Sequence, residues 1–200
     1  MDRPDLAEIE LEHPVWNRFY TVSPLIVVGT REGDGFDLAP KHMATPLGWD
    51  NYFGFVCTPR HATYRNAVEH GAFTVTFPRP EQIVVTSLTA TPRCDDRTHT
   101  PGLEAMETFP AREVEGVFLE EGYAFLECEL ERMVDGFGDA SLVAGKIVSA
   151  RVHPDALRST EASDQELLRS HPLLAFLSPD RYARVGEESY SFPYPADFQE

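Results

Sequence analysis

The sequence predicts a mostly-β fold, a small antiparallel barrel with a few short helices. Short segments rich in β-branched and aromatic residues recur along the chain, separated by turns that carry Gly, Asp and Pro. Only one or two stretches carry helical start and stop signals. The 200 residues are 42% hydrophobic and 11% aromatic, enough for one core and more apolar than a disordered chain. No repeat or linker divides the chain. Residues 1–200 are therefore read as one domain, with an N-terminal segment, 1–22, and a C-terminal tail, 186–200.

In order along the chain, His13, Pro14, Val15, Trp16, Phe19 and Tyr20 are apolar anchors expected to pack on the body or on a partner subunit. Pro24–Thr30 reads as a buried strand, short and uncharged. Glu32-Gly-Asp-Gly35 is turn chemistry, and Phe36–Pro40 is the returning strand. Asn51–Cys57 is an aromatic-rich strand that Thr58-Pro59 ends. Thr63–His70 is a short helix, with Thr63 expected to cap it and Gly71 to terminate it. Ala72–Phe77 alternates as a strand. Pro80–Leu88 reads as helix or strand, with a short helix favoured. Thr89–Phe109 is loop-like, with room for a helical turn at Leu103–Glu107. Tyr123–Val134 alternates most clearly: Leu126, Cys128 and Leu130 face the core, and Glu127, Glu129 and Glu131 face away. Asp135-Gly-Phe-Gly-Asp139 is a hairpin turn, and Leu142–Val152 returns, with Gly145 at a bend or close approach. Asp164–Ser170 makes one or two helical turns. Leu173–Tyr194 reads as irregular.

Composition excludes several functions. There are 33 acidic and 17 basic side chains, a net charge of −16, and the only lysines are Lys41 and Lys146. Nucleic-acid binding needs clustered cations, so it is not expected. No apolar run approaches the ~20 residues that span a bilayer, and the acidic N-terminus is not a secretory signal. Cys57, Cys94 and Cys128 form neither a disulfide framework nor a CxxC pair, which suits a reducing cytoplasm. Histidine spacing suggests no metal site. The sequence contains no G-x-S-x-G, Walker A, H-E-x-x-H or EF-hand motif. Gly136-Phe-Gly138 sits between strands, so it is a turn and not a dinucleotide fingerprint.

The informative stretch is Lys41-His-Met-Ala-Thr-Pro-Leu-Gly48, followed by Thr58-Pro-Arg-His-Ala-Thr-Tyr-Arg-Asn66. The first is a small-residue backbone that can lie against a flat ring and offer it N–H and C=O groups. The second puts Arg60, His61 and Thr63 at a helix start, where anions are favoured. Taken bare, the pattern is better explained by an ordinary capped helix with a basic surface residue. An isolated lysine such as Lys41 is ordinarily solvent-exposed.

The order of these features resembles the flavin reductase-like family of FMN-binding split barrels. The resemblance covers roughly residues 20–185. It rests on Pro24–Thr30, Ala39-Pro40, Thr63 to Asn66, Gly71-Ala-Phe-Thr-Val75, Glu127–Leu130, Ala144–Val148, Pro172–Leu174 and Arg181-Tyr182. It implies an FMN cleft at a homodimer interface. Met43, Ala44, Thr45, Pro46 and Leu47 would hold the isoalloxazine. Thr58, Arg60, His61 and Thr63 would hold the phosphate side, with Asn66 close by. It also implies an NAD(P)H-dependent oxidoreductase in which hydride passes from NADH or NADPH to the flavin, then to free flavin or a small-molecule acceptor. No protein acid or base is required, because the cofactor performs the chemistry. Backbone N–H groups near 44–47, or Lys41, would stabilise negative charge on the reduced ring. The residues themselves add two open readings. His153, just after the last barrel strand, lines the cleft or is a core-edge or capping histidine. The loop of Arg93, Arg97 and His99 receives a nucleotide pyrophosphate or an anionic substrate, or is a solvated loop in which Asp95 and Asp96 neutralise the arginines. Two rivals remain open: an FMN oxidase or electron carrier, and a non-catalytic module holding flavin or haem.

Overall fold

The computed structural model describes residues 6–90, 106–159 and 163–190. Its main body is a seven-stranded antiparallel sheet in the order β3-β2-β6-β9-β10-β5-β4. These strands are β2 (Ile26–Glu32), β3 (Gly35–Lys41), β4 (Ala44–Pro46), β5 (Tyr52–Cys57), β6 (Ala72–Phe77), β9 (Ala124–Phe137) and β10 (Ala140–Val152). β3 pairs with β2 at one edge, and β4 pairs with β5 at the other. Only His42 and Met43 separate β3 from β4. One stretch of chain therefore serves both edges, and the sheet must curl into a half-barrel to allow it.

The inward side chains fill that curl. Ile26, Val28, Phe53, Phe55, Phe73, Val75, Cys128 and Val143 form one buried cluster. The rings of Phe55 and Phe73 meet edge to face, 5.2 Å between centroids. Cys128 is a core residue, as the alternation predicts, and burial pushes its thiol up to about 12. Gly145 sits at a register shift of β10 against β9. A Cβ there would stand 2.5 Å from the Phe73 ring, so only glycine lets the two strands close over that ring.

A small hairpin of β7 (Thr108–Pro110) and β8 (Val117–Leu119) covers the outer face of β2 and β6. Val27, Leu38 and Leu119 form a second cluster beneath it. The sequence pattern misses this hairpin and reads Thr108 and Phe109 as loop, because strands of three residues are too short to show alternation. Most of the Leu103–Glu107 turn, up to Ala105, lies outside the described residues.

The same layer buries Glu127. It faces away from the barrel core, as expected, yet is fully buried. One carboxylate oxygen accepts the backbone N–H groups of Arg112, Glu113 and Val114 at 2.8, 2.6 and 3.2 Å. The other faces Arg151 at 3.5 Å.

The remaining strands, β1 (Thr21–Pro24), β11 (Leu173–Ser178) and β12 (Arg181–Val185), form a separate three-stranded sheet. Two expectations change here. The segment Pro24–Thr30 is not one strand: the chain leaves one sheet after Pro24 and joins the other at Ile26. Leu173–Tyr194 is not wholly irregular, because Leu173–Val185 is a hairpin turning at Pro179 and Asp180. The 135–139 turn is also tighter than read. β9 runs to Phe137 and β10 starts at Ala140.

Among the described residues, three α-helices accompany the sheets: α1 (Ala62–His70), α2 (Ile83–Leu88) and α3 (Asp164–Ser170). Gly71 ends α1 in the left-handed conformation, φ 65°, as expected. In the N-terminal segment, Trp16 and Phe19 touch each other yet remain about half exposed, with Tyr20 beside them. Among the described residues, no helix is long and apolar enough to cross a membrane.

Candidate functional site

Two adjoining clefts lie where β3 passes into β4 and β5 into α1. One, of about 290 Å³, is lined by Pro40, Lys41, His42, Met43, Cys57 and His61, among others. The second, of about 320 Å³, lies between Thr58–Arg60 and the β9–β10 turn. Both are lined by Thr58 and Ala140, so they form one surface. The sequence-derived residues Lys41, Met43, Thr58, Arg60 and His61 meet here.

The ring-side segment is an open strand edge. Val56 donates its N–H to Met43 at 2.8 Å, and Leu47 donates to Tyr52 at 3.0 Å. In that register Met43, Thr45 and Leu47 turn their backbone groups toward β5. Ala44 turns its N–H and C=O the other way, as Pro46 does its C=O. Ala44's methyl is buried in the core, while Thr45 and Pro46 are exposed. Core packing thus fixes a backbone edge that presents donor and acceptor groups side by side.

The phosphate-side segment differs from expectation in one respect. His61, not Thr63, is the N-cap of α1, and no side chain caps the helix. Thr63 stands two positions beyond that cap, 1% exposed, and its hydroxyl accepts a 3.4 Å hydrogen bond from the Lys41 ammonium. Asn66 is buried too. It donates to the Thr30 hydroxyl at 3.1 Å and ties α1 to β2, so its side chain does not face the cleft. Arg60 is exposed and pairs with Asp139 at 2.7 Å. The Tyr64 hydroxyl donates to Asp135 at 3.1 Å, a second tie between α1 and the end of β9.

Lys41 is the larger correction. It is not a surface lysine but is only 9% exposed. Barrel closure buries it: the turn from β3 into β4 carries its side chain under the start of α1. Burial holds its ammonium below the ordinary lysine value, and Cys57 and Asp37 oppose that only in part. Burial pushes the Cys57 thiol up, although Lys41 pulls the other way. The cation is felt across the cleft. Burial and then Lys41 lower the pKa of both His42 and His61. The His42 ring stacks on Phe176 of β11 at 4.1 Å, joining the small sheet to the cleft wall. Sequence spacing gives no sign of this contact.

His153 is not brought to this cleft. It follows the end of β10 opposite Ala140, thirteen strand residues or about 40 Å along the chain. There it pairs with Asp155 at 2.8 Å, beside Arg79 and His171. Arg93 and Arg97 lie outside the described residues.

Several solved structures share this architecture. The flavoredoxin of Desulfovibrio vulgaris (Miyazaki F) superposes with a TM-score of 0.75 at 18% identity, over 96% of this chain and 100% of that one. A split-barrel domain protein from Shewanella frigidimarina gives 0.73 at 18% identity, covering 87% of each chain. An FMN-binding protein from Thermus thermophilus gives 0.72 at 20% identity, over 95% of this chain and 99% of that one. The fold is therefore a split barrel. No curated protein sequence matches the chain. The model of the flavin reductase like domain matches residues 18–178, a span that holds every strand of the half-barrel and the whole cleft. On that match, the chain belongs to the flavin reductase-like family.

Proposed function

We propose that the protein is an FMN-dependent oxidoreductase that takes hydride from NADH or NADPH and passes electrons to free flavin or another small acceptor. The observation that carries this reading is the shape of one surface. It runs from the backbone edge of β4 to the start of α1, in a chain of the flavin reductase-like family. The residues fit a flavin with a phosphate tail. At one end Ala44 and Pro46 offer backbone groups to a polar ring edge. At the other lie an α-helix start without a side-chain cap, and Arg60 at the rim.

When bound, the flavin supplies the hydride chemistry. The protein's own residues do the rest. Met43, Ala44, Thr45, Pro46 and Leu47 orient the ring through a backbone edge fixed by β5. Thr58, Arg60 and His61 receive the phosphate side. Thr63 and Asn66 act from behind, Thr63 on Lys41 and Asn66 on β2. The apolar surface of Trp16, Phe19, Tyr20 and Val22 is proposed to close against a second copy, since a two-fold dimer is the commonest way to cover such surface. Arg93 and Arg97 are proposed as the nucleotide seat. Arg93→Ala and Arg97→Ala should raise KM for the nucleotide and leave kcat unchanged.

The test is spectroscopic. Purified protein given FMN should turn yellow and bleach with NADH or NADPH in the absence of oxygen. A protein that binds FMN but keeps its colour with both nucleotides is a carrier or sensor. A protein with no affinity for FMN removes the proposal. Light scattering on the FMN complex should give the mass of a dimer.

A further inference from the structure

We infer that Lys41, rather than Arg60, is the cation that makes this cleft prefer a flavin carrying a phosphate monoester over one without it. The inference rests on the flavin reading above and adds to it the source of the charge selectivity.

The two cations differ in surroundings. The Arg60 side chain is 76% exposed and already holds Asp139, itself 84% exposed. Water screens such a pair, and a new anion would compete with the carboxylate for the guanidinium. Lys41 is nine-tenths buried and lines the cleft. At an effective dielectric near ~20 a charge acts about four times as strongly as in bulk water.

Lys41 is also aimed at the correct end. Its Nζ reaches Thr63 in the first turn of α1, beside the cleft residues Thr58 and His61. An ammonium has three N–H donors, and the Thr63 hydroxyl takes one of them at a long 3.4 Å. Asp37 and Cys57 add attraction that does not make up for lost hydration. A phosphate oxygen entering between Lys41 and the helix start would offset that loss. A neutral ribityl hydroxyl in the same place would offset it far less. His42 and His61 flank this position, and burial together with the field of Lys41 lowers the pKa of both.

FMN and riboflavin differ only in the phosphate, so their affinity ratio isolates it. In the full-length protein the ratio Kd(riboflavin)/Kd(FMN) should fall about tenfold or more in Lys41→Met and by a smaller factor in Arg60→Ala, because losing a buried charge partner costs more than losing an exposed one. Lys41→Arg, which keeps the charge, should retain most of the ratio and guards against a folding defect. An unchanged ratio in Lys41→Met, or a larger fall in Arg60→Ala, overturns the inference while the flavin reading stands. A shifted reduction potential of bound riboflavin in Lys41→Met, with the ratio unchanged, assigns the charge to the ring and also overturns it. A wild-type protein that binds neither flavin overturns the flavin reading itself, and this inference with it.

Discussion

Two buried charges stand on opposite faces of the same barrel wall, and their surroundings treat them oppositely. Glu127 lies under the β7–β8 hairpin. Burial pushes its carboxyl up, but three backbone N–H groups and the Ser149 hydroxyl more than reverse this, and the group ends below its ordinary value. Lys41 lies in the cleft wall. Burial pushes its ammonium down, and Asp37 and Cys57 do not bring it back. The anion is fully served by the protein, so it belongs to the architecture. The cation is left partly unserved, which is the state in which a ligand of opposite charge binds with profit. Burial alone separates neither case; the balance between burial and partners does.

The comparison can be broken by substitution. Glu127→Ala strands Arg151 and three N–H groups, and should cost about 3–5 kcal/mol in denaturant unfolding. Lys41→Met keeps the volume and removes a charge the fold serves poorly. Its cost should stay under about 1.5 kcal/mol. Equal losses for the two variants would show that Lys41 is as structural as Glu127. Arg60→Ala should change stability by no more than about 1 kcal/mol, as exposed pairs do.

pH sharpens the same contrast. The folded pKa of Glu127 lies below its ordinary value of 4.5. Its stabilisation is therefore complete above the unfolded value and is lost as pH falls through the folded one. The stability gap between the parent and Glu127→Gln should shrink in acid below about pH 4.5. Lys41 behaves in the other sense. Its folded pKa is below 10.5, so the unfolded chain holds this proton longer, and the ligand-free protein gains relative stability between the folded value and 10.5. Over the same interval the preference for FMN over riboflavin should decline, since the cation that produces it is lost.

The barrel was legible in the sequence because its strands are half-buried and alternate, as Ala72–Phe77 and Tyr123–Val134 do. The outer hairpin was not. Its strands are three residues long, and the sequence of β9 cannot show that a second layer covers one end of its outward face. The alternation therefore sets Glu127 on the same face as Glu129 and Glu131 and gives no sign that Glu127 is buried while the other two are exposed. The small sheet was hidden by Pro179, Pro193 and Pro195, which make Leu173–Tyr194 read as irregular. At the candidate site the clustering of Met43, Thr58, Arg60 and His61 was legible, since strand ends and a helix start converge in a barrel. The burial of Lys41 was not, because it follows from closure between residues 35 and 46 rather than from anything next to Lys41. Thr63 was placed in the correct turn but given the wrong task. Capping depends on which residue has extended backbone, and that residue is His61.

The most direct test is the titration of Lys41 itself, followed by NMR in the ligand-free protein and again with FMN or riboflavin bound. Lys41 should titrate below 10.5 without ligand, rise when FMN binds, and change little with riboflavin. A lysine that titrates at its ordinary value without ligand, or that does not respond to FMN, would contradict the claim that this cleft holds an unserved charge.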